Sequence, residues 1–210
     1  MNDYKLYTVG HSNQSLEGLL QLLQRNGVNC VVDVRSVPAS KYAPQFNQDF
    51  LGQFMLKNGI MYLFFGKEFG ARRTDCLDED GRVDFEKAVG TPLFQQGVER
   101  LLKGLEKGFC ISLLCSEADP LECHRFAMVA RYFYSHGIEV LHIMKDSSAI
   151  PHDKLEQKMI ESYLHSKKYH LSEVDQLFGT YTAEEQLEDA YRLKNKEIGY
   201  RMVAQMEEAF

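Results

Sequence analysis

Residues 111–125 read ISLLCSEADPLECHR. The apolar run that ends at Cys115 predicts a buried β-strand, and Pro120 after a polar loop predicts the first turn of a helix. In a parallel α/β sheet, sites form at the junction between the carboxyl end of a strand and the following helix. This stretch therefore predicts the fold class and the position of a site that contains thiols, carboxylates, an imidazole and a guanidinium.

The same alternation of strand and helix extends outward over the first 145 residues. Short apolar runs predict strands that are buried on both faces, and the segments between them have the spacing of amphipathic helices. We predict an α/β fold with an open, mostly parallel five-stranded sheet in three layers, and a partial barrel is the alternative. The predicted strands cover residues 6–9, 30–34, 60–65, 109–115 and 138–143.

The chain beyond residue 150 has a different character, because predicted strands disappear and charged residues become more frequent. Apolar residues at spacings of three and four predict one long amphipathic helix over residues 183–208. We therefore predict an α/β domain over residues 1–150 and a helical C-terminal extension over residues 151–210 packed on it. The apolar face of the long helix either docks on the core or forms the contact of a homodimer.

The composition excludes several classes of protein. Hydrophobic residues make up 44% of the 210 residues, which is typical of a globular protein. The net charge of −6 disfavours a broad contact with nucleic acid, although a local basic pocket stays open as an alternative. No apolar run approaches the roughly 18 residues that cross a bilayer, and the N-terminal residues lack a signal-peptide pattern. Together with the odd number of five cysteines, these features predict a cytoplasmic protein with reduced thiols and no membrane partner.

Polar side chains follow three of the predicted strands at their carboxyl ends. Because the carboxyl ends of parallel strands share one edge of a sheet, we expect these side chains to surround one cleft. An unpaired buried carboxylate is costly, so we expect Asp33 to be buried and paired with His11, Arg125 or a backbone amide. The converging residues are His11, Asp33, Arg35, Cys115 and Glu117.

The two cysteines in residues 111–125 have different predicted environments. Cys115 lies near His124 and Arg125 and is either a thiolate nucleophile or a small buried apolar residue. Helical spacing to the apolar residues that follow places Cys123 on the core face, so we expect Cys115 to be the more accessible thiol. A zinc site would combine both thiols with His124 and His11, but adjacent residues on a helix diverge by about 100°. The sequence therefore predicts a site without metal.

Arginines near the predicted strand ends are candidate anion binders, because a guanidinium binds carboxylate or phosphate bidentately. Arg72 and Arg73 lie in a glycine-rich loop and would form a clamp on an anion. Ordinary ion pairs with Glu68 and Asp75 are the alternative. The candidates are Arg35, Arg72, Arg73 and Arg125.

Several ordered motifs resemble those of the DUF488 family (domain of unknown function 488). They are residues 8–12 (TVGHS), 32–38 (VDVRSVP) and 114–125 (LCSEADPLECHR). The resemblance covers about residues 5–145, and it implies a shared fold and site without an agreed reaction. The site residues that it implies are His11, Asp33, Arg35, Cys115, Glu117, Cys123, His124 and Arg125.

A weaker similarity is to rhodaneses and cysteine phosphatases, in which a short loop from a cysteine to an arginine wraps an anion. Here the segment from Cys115 to Arg125 is longer and contains the acidic Glu117 and Asp119. Acidic side chains oppose an oxyanion, so this difference argues against sulfur or phosphoryl transfer.

We predict an enzyme that acts on an anionic small molecule or a nucleotide-like group. One alternative is a module that binds a nucleotide or a nucleic-acid end without chemistry, and another is a thiol redox protein that uses Cys115 and Cys123. The sequence does not indicate a cofactor. The predicted catalytic residues are Cys115, Glu117, His124 and His11, and the predicted substrate-binding residues are Asp33, Arg35, Arg72, Arg73, Cys123 and Arg125.

Overall fold

The computed structural model describes residues 4–165 and 182–202. In this part of the chain, six strands form one open sheet with the order β3-β2-β4-β1-β5-β6. The first five strands pair in parallel, and β6 runs antiparallel to β5. The strands are β1 (Lys5–Gly10), β2 (Cys30–Asp33), β3 (Met61–Phe64), β4 (Ile111–Cys115), β5 (Glu139–Ile143) and β6 (Ala149–Pro151).

Helices cover both faces of the sheet and complete three layers. They are α1 (Leu16–Arg25), α2 (Gln48–Lys57), α3 (Gly66–Phe69), α4 (Phe85–Val89), α5 (Pro92–Glu106), α6 (Arg131–Ser135), α7 (His152–His165) and α8 (Ala183–Ile198). The first two pack on one face, and the others pack on the opposite face. Within the described ranges, none of these helices has the length and apolar character needed to cross a membrane.

The predicted fold class is confirmed, because the sheet is mostly parallel, covered by helices and open rather than closed into a barrel. The sheet has six strands instead of the predicted five. The additional strand, β6, pairs with β5 through only three residues and ends in a proline. Such a short segment has no alternating pattern, so the sequence does not predict it.

Strand register brings the ends of three strands to the same level. Gly10 at the end of β1 lies beside Cys115 at the end of β4, and Asp33 at the end of β2 lies beside Leu114. A Cβ atom on Gly10 would lie 1.8 Å from the carbonyl oxygen of Glu117, so the loop after β4 packs directly on this glycine. The segments that follow β1, β2 and β4 therefore meet at one edge of the sheet.

The last helix is shorter than the sequence predicts. α8 ends at Ile198, so the prediction of one helix over residues 183–208 is wrong at its C-terminal end. The next residues turn back onto the domain, where the amide of Val83 donates a hydrogen bond of 2.9 Å to the carbonyl oxygen of Tyr200. This long-range pairing follows the end of the helix, and residues 203–208 of the predicted helix lie outside the described residues.

A chain of buried polar side chains connects α8 to the centre of the sheet. Burial lowers the pKa of His152 to about 3, with a further contribution from the charge of Arg131. Burial also lowers the pKa of His142 well below its ordinary value, so both rings are neutral near pH 7. The chain runs from Thr8 to His142 (2.8 Å), His152 (3.0 Å), the hydroxyl of Tyr191 (2.8 Å) and Glu156 (2.7 Å).

Candidate functional site

A cleft of about 240 Å³ opens at the carboxyl edge of β2 and β4. Its buried part is lined by Cys115, Cys123 and His124, which are at most 9% exposed. Its outer wall includes Tyr200, and the guanidinium of Arg72 lies 5.0 Å from the centre of the Tyr200 ring. The cleft therefore combines residues that lie almost 130 positions apart in the chain.

Four side chains, which we call the thiol cluster, meet in the buried part of this cleft: Cys115, Glu117, Cys123 and His124. The Oε2 atom of Glu117 accepts hydrogen bonds from both thiols, at 3.1 Å from Cys115 Sγ and 3.0 Å from Cys123 Sγ. His124 Nδ1 lies 3.7 and 3.9 Å from the same two sulfurs. Two sulfurs, a carboxylate oxygen and an imidazole nitrogen thus face one another.

The thiol cluster depends on a break in the backbone at Cys123. Asp119 caps a three-residue 3-10 turn over Pro120–Glu122 by accepting a hydrogen bond from the amide of Leu121. Cys123 is then extended, with φ −140° and ψ 138°, before a π-helical turn begins at Arg125. The predicted continuous helix from Pro120 is therefore interrupted, and the side chain of Cys123 faces Cys115 instead of only the core.

The expectation that Cys115 is the more accessible thiol is wrong. Cys115 and Cys123 are each 2% exposed, so neither thiol is more accessible than the other. The two thiols also differ in how readily they ionise. Burial raises the pKa of Cys115 well above its ordinary value, and the neighbouring Cys123 adds to this shift.

The environment of Cys123 favours its ionised form. Burial opposes the thiolate, but the neighbouring Cys115 thiol and the positive charges of Arg125 and His124 lower the pKa of Cys123 well below its ordinary value. Burial raises the pKa of Glu117, and proximity to Cys123 raises it further. Burial disfavours a charged His124, but the neighbouring Cys123 and Glu117 raise the pKa of His124. Cys123 is thus the thiol that loses its proton first.

Arg125 supports the loop that carries Glu117. Its side chain is fully buried, and it donates hydrogen bonds to the carbonyl oxygens of Glu117 (2.7 Å) and Ala118 (3.2 Å). Its backbone amide lies 3.4 Å from Cys123 Sγ and donates to that sulfur. Arg125 therefore fixes the thiol cluster from behind rather than lining the cleft as an anion binder.

A second group of polar residues adjoins the cluster at the end of β2. Asp33 is fully buried, and its two carboxylate oxygens accept hydrogen bonds from Arg35 Nε (2.8 Å) and Nη2 (2.5 Å). Asp33 also accepts hydrogen bonds from the backbone amide of Arg35 (3.1 Å) and the hydroxyl of Tyr62 (2.5 Å). The expected burial and amide contact are confirmed, whereas the principal partners are Arg35 and Tyr62 rather than His11 or Arg125.

His11 contacts this second group and not the thiol cluster. Its Nε2 lies 3.1 Å from Arg35 Nη1, and its Nδ1 lies 2.8 Å from the carbonyl oxygen of Ser12. A carbonyl only accepts, so Nδ1 carries the proton and Nε2 accepts from Arg35. Burial lowers the pKa of His11 to about 4, which keeps the ring neutral in this arrangement. The ring also stacks on Phe46 at 4.2 Å.

The predicted anion-binding arginines have separate environments. Arg35 lines the cleft, but its guanidinium is occupied by Asp33 and by the carbonyl oxygen of Phe46. Arg73 is 6% exposed, is bound to Asp75 at 2.8 Å, and does not line this cleft. Arg72 also lines the cleft, and its side chain is exposed. Within the part of the chain that the structure describes, no carboxylate pairs with its guanidinium.

The sequence did not predict the contributions of Tyr62, Ile198 and Tyr200. Tyr62 reaches Asp33 because it lies on β3, which pairs with β2. No local sequence pattern indicates that its hydroxyl donates a hydrogen bond to Asp33. Ile198 and Tyr200 line the cleft because the chain turns after α8. Gly199 was the available signal for this turn, because glycine is frequent where helices end.

The fold and the cleft define an α/β protein with a thiol, imidazole and carboxylate site at the carboxyl edge of a parallel sheet. The family model described as "Domain of unknown function DUF488" matches residues 15–133, which is more than half of the chain. The chain therefore belongs to the DUF488 family. The match includes Asp33, Arg35 and the whole thiol cluster, whereas His11 and Tyr200 lie outside it. No curated protein and no solved structure matches the chain.

Proposed function

We propose that the protein is an enzyme that acts on an anionic small molecule or a nucleotide-like group in the cleft beside the thiol cluster. The observation that carries this proposal is the convergence of four reactive side chains at the buried end of an open cleft. Burying such groups costs free energy that an apolar core would not, and arrangements of this kind concentrate at functional sites. The position at the carboxyl edge of a parallel sheet agrees with this interpretation.

Arg72 supports the anionic character of the substrate. Its backbone amide donates a hydrogen bond of 2.9 Å to Ser36 Oγ, which fixes this part of the loop at the mouth of the cleft. Its guanidinium lies over the ring of Tyr200, so both are held where an incoming group would meet them. A guanidinium beside an aromatic ring suits a phosphate or carboxylate attached to a flat group.

The thiol cluster supplies the reactive groups. Glu117 Oε2 contacts both thiols, and His124 Nδ1 lies within 4 Å of both sulfurs, so these are the groups within reach to move a proton during the reaction. The cleft volume of about 240 Å³ is below the range of roughly 300–1,000 Å³ that holds drug-sized ligands. The substrate, or its reacting part, is therefore small.

A ligand panel tests the proposal. We would measure thermal shifts of the wild-type protein with phosphates, nucleotides and sulfur compounds, and then follow each stabilising compound by mass spectrometry for conversion. We expect Arg72→Met to weaken binding about tenfold or more, and Arg25→Met, an exposed site on α1, to leave it unchanged. We expect Glu117→Gln to bind the compound but convert it slowly.

The outcomes also separate the alternatives. Binding without conversion of any stabilising compound would favour the module that binds a nucleotide or a nucleic-acid end. Conversion that requires a disulfide compound as co-reactant would favour the thiol redox protein. Equal binding by wild type and Arg72→Met would contradict the role of this arginine.

A further inference from the structure

We propose that Cys115, Cys123 and His124 bind a zinc ion in the buried part of the cleft. Their three ligand atoms all lie within 4.8 Å of one another. Two cysteine sulfurs and one imidazole nitrogen form a ligand set that zinc accepts in proteins. The proposal goes beyond the proposed function, because metal binding can be measured whether or not the protein converts a substrate.

The spacing of the ligand atoms fits a tetrahedral ion. With Zn–S and Zn–N bonds of about 2.3 and 2.05 Å, tetrahedral angles place a sulfur about 3.6 Å from a nitrogen. His124 Nδ1 lies 3.7 Å from Cys115 Sγ and 3.9 Å from Cys123 Sγ. Each of these two nitrogen–sulfur distances is therefore within a few tenths of an ångström of the tetrahedral value.

The orientation of His124 is set by a contact on the far side of its ring. His124 Nε2 lies 3.2 Å from the carbonyl oxygen of Val34, which can only accept a hydrogen bond. Nε2 therefore carries a proton, and Nδ1 is the nitrogen that faces the two sulfurs and would bind an ion in its deprotonated form. A histidine that binds a metal usually donates its other N–H to a carbonyl or carboxylate in this way, which fixes its tautomer.

The backbone conformation at Cys123 allows Cys123 and His124 to share one ion, although they are adjacent in sequence. On a regular helix, Cys123 and His124 would point about 100° apart, which disfavours a shared ion. Cys123 is instead extended, between the 3-10 turn and the π-helical turn, so both side chains point to the same place. The amide of Arg125 donates to Cys123 Sγ at 3.4 Å and would stabilise negative charge on that sulfur.

The charges around the site favour a dication. Cys115, Cys123 and Glu117 place three acidic groups together, which outnumber the one opposing positive charge of the buried Arg125. Binding would form two Zn–S bonds and release two thiol protons to water, so the two thiolates balance the ion. Glu117 Oε2 contacts both sulfurs, and a carboxylate or a water molecule at the fourth position would complete the coordination. The cleft leaves this position open to a small ligand.

Metal content and cobalt spectroscopy test the proposal on the full chain. We expect purified wild-type protein, dialysed after exposure to zinc, to retain about one zinc per chain by elemental analysis. After removal of zinc by a chelator, we expect cobalt(II) to produce the sulfur-to-cobalt charge-transfer absorption of a thiolate site. Zinc should then displace the cobalt and remove this absorption.

Cysteine variants identify the ligands. We expect Cys115→Ser and Cys123→Ser each to weaken zinc binding about 100-fold or more, since even contacts behind a ligand change affinity 10- to 100-fold. Cys110→Ser is the matched control, because this partly buried cysteine hydrogen-bonds to the carbonyl oxygen of Asn26 outside the cleft. Its variant should keep the wild-type stoichiometry and spectrum.

Two results would overturn the zinc site. One is wild-type protein that retains no stoichiometric zinc and gives no charge-transfer absorption with cobalt, a measurement that does not require any variant to fold. The other is a folded Cys123→Ser variant that binds zinc as tightly as the wild type. Protein that converts a substrate but retains no zinc and binds no cobalt would leave the proposed enzyme standing while refuting the zinc site. Zinc binding without conversion of any compound would support the zinc site and contradict the proposed enzyme.

Discussion

Replacement of Asp33 by asparagine tests the buried group at the end of β2. Asp33 is fully buried, and its carboxylate accepts two hydrogen bonds from the Arg35 guanidinium, one from the Arg35 amide and one from Tyr62. In Asp33→Asn, one oxygen becomes an NH₂ group that faces these donors, and the Arg35 charge loses its counterion. Breaking a buried ion pair by removing one partner costs about 3–5 kcal/mol, so we expect a loss of this size in the free energy of unfolding.

Urea unfolding at pH 7, followed by circular dichroism, measures this loss. Asp75→Asn is the matched control, because Asp75 pairs with Arg73 at 2.8 Å but its side chain is 58% exposed. Solvent screens such a pair, so we expect the control to lose less than about 1 kcal/mol. If Asp33→Asn loses no more than the control, Asp33 is solvated and the reasoning from its burial is refuted.

Three further substitutions test the remaining framework by urea unfolding. The pKa of His152 lies at about 3 when folded and at about 6.5 when unfolded, so the unfolded chain binds the proton first. The contribution of His152 to the free energy of unfolding should therefore fall by about 2 kcal/mol as the pH is lowered from 7 to 5, and His152→Gln should remove that part of the pH dependence. Gly10→Ala should lower the free energy of unfolding by about 1–3 kcal/mol or more, because the added Cβ would overlap the carbonyl oxygen of Glu117. Gly90→Ala is its control and should change stability little, because the nearest described neighbour of its added Cβ lies 3.5 Å away. Tyr191→Phe should lose about 1–3 kcal/mol, and an unchanged stability would contradict the buried chain.

Five of the six described strands were predictable from the sequence because each is a short apolar run between turns. Runs that end at Asp33 and Cys115 also carry their polar residues to one edge, since parallel pairing aligns the carboxyl ends of strands. The burial of Asp33 followed from the same argument. These features depend on hydrophobic patterning and on the geometry of parallel sheets, both of which a sequence records.

The break at Cys123 was not predictable from local spacing. Pro120 and Asp119 form a helix start, but they support only one 3-10 turn. The interruption then depends on Arg125, whose buried side chain holds the carbonyl oxygens of the preceding loop. Periodicity counts residues along the chain and contains no information about such contacts. The turn after Ile198 depends on pairing with the loop before α4, where Val83, which lies 117 residues earlier, donates to the carbonyl oxygen of Tyr200.

The buried chain from Thr8 to Glu156 has a direction. The Tyr191 hydroxyl donates to Glu156, so it accepts from His152 Nε2–H, and His152 Nδ1 must then accept from His142 Nε2–H. His142 Nδ1 accepts in turn from Thr8, in the central strand of the sheet. The tautomers of His142 and His152 are therefore coupled, and the hydrogen bonds run in the same donor-to-acceptor direction through all five side chains. Protonation of Glu156 would allow every hydrogen bond in this chain to exchange its donor and acceptor. A carboxyl group on α7 therefore controls the direction in which the Thr8 hydroxyl points inside the sheet.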